Sequence, residues 1–286
     1  MTVKDHFIDI GIKIHLREWP GAGRPFVLLH GLSSNCRTWD LVAVFLATAG
    51  HRVLAVDQRG HGQSDKPDEG YDFATITADL AKLIHQADLQ QPILVGQSWG
   101  GNVVLEFGVR YPEMACGLAF IDGGFLDLRM RADATWEKVA VDLKPPNLNG
   151  TPREQMKTYM KINHPDWDDI VIEGALANFE TLSDGTIRPW LTLPRHLAIL
   201  RSLWEQHPSS LYPQVKAPVL ICPAEDPKNQ AWMTIKSNQV AAAQNGLPHS
   251  KVHWFENSDH DIHMQRPQRL VALFLESLRG SLWQDC

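Results

Sequence analysis

The stretch ILVGQSWGGNVVL at residues 93–105 constrains this chain more than any other. Ile93 to Gly96, bounded by turn-formers, reads as a buried strand, and Asn102 to Arg110 reads as a packed helix. Between them GQSWGG has to reverse the chain so tightly that the backbone enters strained φ/ψ space, which Gly96 and Gly100 make sterically possible. Such a turn lifts Ser98 out of the sheet at the carboxyl end of a strand, with a helix N-terminus beneath it. That place favours developing negative charge. The bland alternative is a glycine-rich turn with an incidental serine, and the rest of the chain has to decide between the two.

The rest of the chain supplies a regular alternation. FIDIGIKIHLREW at 7–19 reads as two antiparallel strands about Gly11. Phe26 to Leu29 and Arg52 to Asp57 are strands, the first a continuous apolar run of the kind covered on both faces. Thr38 to Ala49 returns as a helix, and Thr75 to Ala87 is amphipathic, with Ile76, Leu80, Leu83 and Ile84 on one side. GLAFIDGG and APVLICPA are further buried strands. Beyond them lie a helix over Asn229 to Gln244, a strand KVHWFE at 251–256 and a last helix from Pro267 to Leu278. The pattern predicts an α/β fold with a mainly parallel central sheet flanked by helices.

Roughly 90 residues separate GLAFIDGG from APVLICPA, far beyond the usual connection of about 2–6. Helical patterns at 153–161, 170–179 and 194–207, and the tryptophans Trp136, Trp167, Trp190 and Trp204, predict a helical cap at 125–211. The core would then be 1–124 and 212–286. A chain of 286 residues can bury one substantial core. A net charge of −6 with no run of Lys and Arg argues against nucleic acid as a partner. Cys36, Cys116, Cys222 and Cys286 are widely spaced. Cys116 and Cys222 lie in apolar runs and read as buried thiols of a reducing, cytoplasmic compartment. The N-terminus has no uninterrupted apolar h-region and no stretch has 18 apolar residues in a row, so neither a signal peptide nor a membrane span is expected. The expected state is a monomer or homodimer acting on a small molecule.

A serine hydroxyl is a weak nucleophile near neutral pH and needs a base, which a carboxylate should orient. In parallel α/β sheets such groups collect at the carboxyl ends of strands. His260 follows a strand and precedes the last helix, which makes it the first candidate for base. His263 is its rival and could instead face substrate, and His30 lies beside Gly31, where a backbone donor is more useful. For the acid, Asp226 stands first, with Asp122 and Glu225 as alternatives. SDHDIH at 258–263 resembles a ligand cluster, but no cysteine or compact HxxxH helix supports it and no metal is expected. The oxyanion would be met by the N–H of Trp99 and, most simply, of Leu32. Trp136 and Trp167 are candidates, with Trp99, to line the substrate pocket.

HGL at 30–32, DQRGHGQSD at 57–65, GQSWGG at 96–101, EDP at 225–227 and HDIHMQRP at 260–267 together resemble the α/β-hydrolase superfamily, in particular its capped, cofactor-free members. The similarity spans nearly the whole chain outside the cap. The resemblance implies Ser98 as nucleophile, Asp226 as acid and His260 as base, no cofactor, and structural roles for Asp57 and Arg59. Ser98 stands where haloalkane dehalogenases and epoxide hydrolases carry aspartate, which argues against an alkyl-enzyme ester. Asp259 and Pro223 stand where family members often have glycine. The function so implied is hydrolysis of a carboxylic ester or related acyl bond in a small, largely apolar substrate. Carbon-carbon bond hydrolysis, lactonase and aminopeptidase activity share the core, the last needing a cap carboxylate such as Glu173 or Glu180. A ligand receptor with a slow triad is the alternative of another class.

Overall fold

The computed structural model describes residues 2–228 and 230–284; the expected helix start at Asn229 and the fourth cysteine, Cys286, lie outside the described residues. Eight strands form the main sheet: β1 (Lys4–Asp9), β2 (Lys13–Trp19), β3 (Gly23–Leu29), β4 (His51–Val56), β5 (Ile93–Gln97), β6 (Gly117–Ile121), β10 (Val219–Cys222) and β12 (Ser250–Val252). Their spatial order is β1-β2-β4-β3-β5-β6-β10-β12. The β1–β2 and β2–β4 pairs are antiparallel, and from β4 to β12 every pair is parallel. The α/β architecture with a mainly parallel sheet flanked by helices is therefore present.

The continuous apolar runs have a direct reading in the packing, because successive side chains of a strand point to opposite faces. In β3, Val27 and Leu29 enter the core shared with helices α2 (Phe73–Gln86), α3 (Trp99–Arg110) and α9 (Gln230–Gly246). Phe26 and Leu28 point the other way, toward α1 (Asp40–Thr48) and α11 (Pro267–Arg279). Helices on both faces leave no solvated side, so no polar alternation survives in the strand. Helix α2 starts where the side chain of Asp72 accepts the N–H of Thr75, and it buries Ile76, Leu80, Leu83 and Ile84. Each such apolar side chain contributes roughly 1.5–3 kcal/mol by leaving water.

Between β6 and β10 the insert carries α4 (Trp136–Asp142), α5 (Arg153–Asn163), α6 (Asp169–Leu176), α7 (Leu193–Glu205) and α8 (Pro208–Leu211). The segment is not purely helical. β7 (Thr151–Pro152), β8 (Phe179–Thr181) and β9 (Thr186–Pro189) form an antiparallel sheet in the order β7-β9-β8. Phe179, expected at the end of a helix, instead begins β8. The expected strand at 251–256 is also divided: after β12 the chain breaks and resumes as β13 (Phe255–Glu256), which pairs in parallel with β11 (Ala224–Glu225). A short helix, α10 (Ile262–Gln265), precedes α11. Cys36 and Cys222 are buried thiols, whereas Cys116 is only half-buried. Among the described residues no helix is long and apolar enough to cross a membrane.

Candidate active site

Ser98 joins β5 to α3 with φ 54° and ψ −124°, a conformation that costs an L-residue energy and persists only where its surroundings enforce it. Two neighbours do so. The Ser98 N–H donates to Ile121 O at 2.9 Å, which ties the turn to the end of β6. Gly123 lies so close that a Cβ there would stand 2.1 Å from Ser98 O. On the other side a Cβ on Gly31 would stand 2.3 Å from Gln97 Oε1 and 3.1 Å from Ser98 Cβ. The loop after β3 and the loop after β6 thus close on the serine from both flanks, the first against side chains and the second against its backbone.

Asp122 follows Ile121 directly, at φ 43°. Its N–H donates to Cys222 O at 2.9 Å and its Oδ1 accepts the N–H of Ala224 at 2.9 Å, so the residue bridges β6 to the end of β10. Its Oδ2 meets His260 Nδ1 at 2.6 Å. This corrects the sequence reading. Asp226 does not face His260: its carboxylate turns back locally to accept the N–H of Lys228 at 2.9 Å. Glu225 belongs to β11, and its carbonyl accepts the N–H of Ser258. Both alternatives lay at strand ends, but the strained turn at 122 is the one that aims a carboxylate at the loop carrying His260. A signal was present in FIDGG, where the carboxylate abuts two glycines, Gly123 pressed against the Ser98 backbone and Gly124 at φ 71°.

Burial by itself would raise the Asp122 carboxyl, but the hydrogen bond and charge of His260 and the charge of Lys236 hold it below the usual carboxylate range. Crowding around His260 works against a charged ring, yet the hydrogen bond to Asp122 and its charge prevail and raise the imidazole above 6.5. Half of the His260 side chain (51%) remains open to solvent, while Asp122 is 2% exposed. Gln97, next to Ser98, donates Nε2 to His260 O at 3.2 Å, which brings the histidine loop to the elbow.

Of the loop after β3, the N–H of Ser34 goes to Gly31 O and that of Ser33 to His61 Nε2. No acceptor for the Leu32 N–H occurs among the described residues. The N–H of Trp99, first in α3, has no intrahelical acceptor. His30 is fully buried, with Nε2 accepting the N–H of Gln58, and has no part at the mouth of the site.

The proposed lining residues fare differently. His263 is 1% exposed and packs its ring 4.3 Å from Trp39, and burial pushes its pKa down to about 3. It lies on α10 as a buried, neutral histidine, with neither ring nitrogen hydrogen-bonded among the described residues. Trp136 is half-buried under the Arg201 guanidinium, 4.9 Å from its ring centroid, and is engaged with α7. Trp167 stacks on His164 at 3.8 Å and packs against the cluster of Val171, Ala175 and Met264.

The sequence profile of the alpha/beta hydrolase family matches residues 26–273. The chain belongs to that family. A non-heme chloroperoxidase of Streptomyces lividans is 39% identical over 101 residues, 35% of this chain and 37% of that protein. The chain thus spans about a third of the length of the curated relatives it matches. Among solved structures, E-2-(acetamidomethylene)succinate hydrolase superposes with a TM-score of 0.80 at 22% identity, covering 98% of this chain and 100% of that one. The esterase of Exiguobacterium antarcticum gives 0.73 at 20% identity, covering 97% and 100%.

In this alpha/beta hydrolase the loop DQRGHGQSD is knotted by Asp57, which accepts the N–H groups of Cys36 (2.7 Å) and Gln63 (2.9 Å) and meets His15 Nδ1 at 2.8 Å. His15, Cys36 and Asp57 bring potential metal ligands within 4.8 Å of one another. Both imidazole nitrogens are nevertheless engaged, Nδ1 with Asp57 and Nε2 with Asp5, so the group reads as an ion-pair knot. Arg59 is held by both oxygens of Asp79, at 2.7 and 3.0 Å. Burial opposes the Asp57 charge, but His15, His30 and the two N–H donors depress its pKa strongly. Asp57→Ala is expected to cost about 3–5 kcal/mol in urea unfolding at neutral pH, because it strands two buried donors and a histidine. A group with a depressed folded pKa stabilises above its unfolded value of about 3.9 and loses that contribution only as pH falls from there through its folded pKa, so the gap between wild type and variant should begin to close below about pH 4 and go on narrowing with further acidification.

Proposed function

We propose that the protein is a serine hydrolase cleaving a carboxylic ester or related acyl bond of a small substrate through an acyl-enzyme on Ser98. The observation that carries the reading is the 2.6 Å bond from His260 to Asp122, made at the end of the strand whose last carbonyl holds the Ser98 N–H. In this reading Ser98 Oγ attacks the acyl carbon and passes its proton to His260 Nε2. Asp122 fixes the tautomer that leaves Nε2 free and stabilises the imidazolium. The N–H groups of Leu32 and Trp99 receive the oxyanion. The imidazolium returns its proton to the leaving alkoxide, and a water activated by the same base then releases the acid and restores the serine.

A cavity of about 720 Å³ opens beside Ser33, with Trp190, Leu148 and the cations Lys66, Arg188 and Arg195 among its walls. None of Ser98, Trp99, Asp122 and His260 lines it, so we read it as an outer approach to the site and not as the acyl pocket. We read the insert as the cap over this entry: Ser33 Oγ meets His196 Nδ1 at 2.9 Å, and Asn35 Nδ2 donates to Gly174 O at 2.9 Å. Aminopeptidase chemistry is disfavoured. Glu173 is paired with Arg153 and Lys157, and Glu180 with Arg188, so neither carboxylate is left for an α-ammonium.

Stoichiometric labelling of Ser98 by a fluorophosphonate, followed by peptide mapping, together with steady-state turnover on a panel of p-nitrophenyl acyl esters, tests the reading. Labelling at 98 with turnover supports it. Labelling without turnover on any member favours a receptor with a slow triad, and label elsewhere removes Ser98 from the chemistry. The base has to be neutral to act, and His260 is raised, so the acid limb of kcat/KM against pH is expected to have its midpoint above 6.5. A midpoint below 6.5 would contradict the pairing with Asp122.

A further inference from the structure

We propose that Lys236 is a positioning residue for the reaction: its buried ammonium, fixed between Asp122 and Ala224, holds the carboxylate that faces His260 and tempers the pull of that charge on the imidazole. The inference rests on the serine-hydrolase reading. Lys236 lies on α9, a helix otherwise distant from the chemistry, and is 3% exposed. Its Nζ donates to Asp122 Oδ2 at 2.9 Å and to Ala224 O at 2.9 Å, with the Trp232 ring 6.0 Å away. A lysine is almost never buried so far unless a partner requires it. Here the partner is the carboxylate that accepts His260 Nδ1, and the ammonium lies 2.9 Å from both of its oxygens.

Two consequences follow from sharing one carboxylate. Asp122 is held by three donors from three elements, the N–H of Ala224, the ammonium of Lys236 and the ring of His260, so its carboxylate has little freedom to rotate. The ammonium also offsets the carboxylate charge that His260 feels, and so lowers the readiness of the ring to hold a proton. A base trapped as imidazolium cannot accept the serine proton, so this restraint keeps a larger share of the enzyme competent at neutral pH. The other titratable or charged groups around the ring are Asp261 and His263 on its own loop, Asp259 beside it, and His164 from the insert, which faces Asp259 and Asp261.

The test is the titration of His260 followed by its imidazole resonances, assigned with His260→Asn, in wild type and in Lys236→Met. Loss of the ammonium is expected to raise the midpoint by about 1 pH unit. The acid limb of kcat/KM should move with it, and kcat should fall about tenfold with KM nearly unchanged. A midpoint and pH profile unchanged to within about 0.2 unit, whatever the loss of thermal stability, would reduce Lys236 to a structural anchor and overturn the proposal. Lys236→Gln, which keeps a donor for Ala224 O but no charge, serves the same readouts if the methionine variant does not fold. Should neither fold, the 15Nζ resonance of Lys236 in wild type decides: it shifts as His260 titrates, or the proposal fails. Absence of fluorophosphonate labelling in wild type would instead sink the serine-hydrolase reading, while the histidine titration still judges the influence of Lys236.

Discussion

Ser98→Ala is expected to lower kcat for p-nitrophenyl acyl esters by about a millionfold, the scale on which removal of a triad nucleophile acts elsewhere. The side chain caps nothing at the head of α3, so its removal has no structural partner to orphan. Thermal unfolding of the variant should therefore match wild type within a few degrees, and substrate should still bind. The measurement is single-turnover and steady-state hydrolysis on the same preparation, with fluorophosphonate labelling as a check. A variant that turns over undiminished would remove the acyl-enzyme from the mechanism and leave only the architecture.

The second expected result separates two aspartates. Asp122→Asn should reduce kcat by about 10³–10⁴-fold, because an amide opposite Nδ1 no longer selects the tautomer that leaves Nε2 free to accept a proton. Asp226→Asn should change kcat by no more than about twofold, since its carboxylate only accepts a local N–H from Lys228. The asparagine at 122 also leaves the Lys236 ammonium buried without its counter-charge, so this variant should unfold at lower temperature as well. Activity and stability are to be measured together at a temperature where both variants are folded. The reverse ranking, with 226 the costly position, would show that the loop after β10 closes on His260 in solution and that the geometry described here is not the working one.

Much of the fold was legible because burial on both faces leaves an unmistakable trace in sequence. Phe26 to Leu29 and GLAFI are apolar at every position because helices cover both sides of the sheet. The placement of Ser98 and His260 in loops that follow strands was legible because the composition of each loop suits a sharp turn. The carboxylate that pairs with His260 was not. Asp122 and Asp226 both follow buried strands, and the choice between them depends on how a loop turns in space: the positive φ at 122 swings its carboxylate across to Ala224 and His260. Resemblance pulled the other way, toward EDP. Lys236 was invisible for a related reason, since IKSNQVAAAQ reads as an ordinary helix face and nothing local tells a buried lysine from a solvated one. The strands β7 to β9 escaped because segments of two to four residues carry too little periodicity to register. Whether His263 faces substrate or only fills the loop was open in the sequence, because proximity to His260 says nothing about which side of α10 it takes.

The carboxylate that serves His260 comes from β6, the immediate neighbour of the strand bearing Ser98, rather than from β10 one place further out. In the proposed mechanism two adjoining strands therefore lead into nucleophile and acid, and the turn around Pro227 is given no chemical duty. That turn is a natural place to graft a peptide, a reporter or a second module onto this scaffold while its chemistry goes on undisturbed.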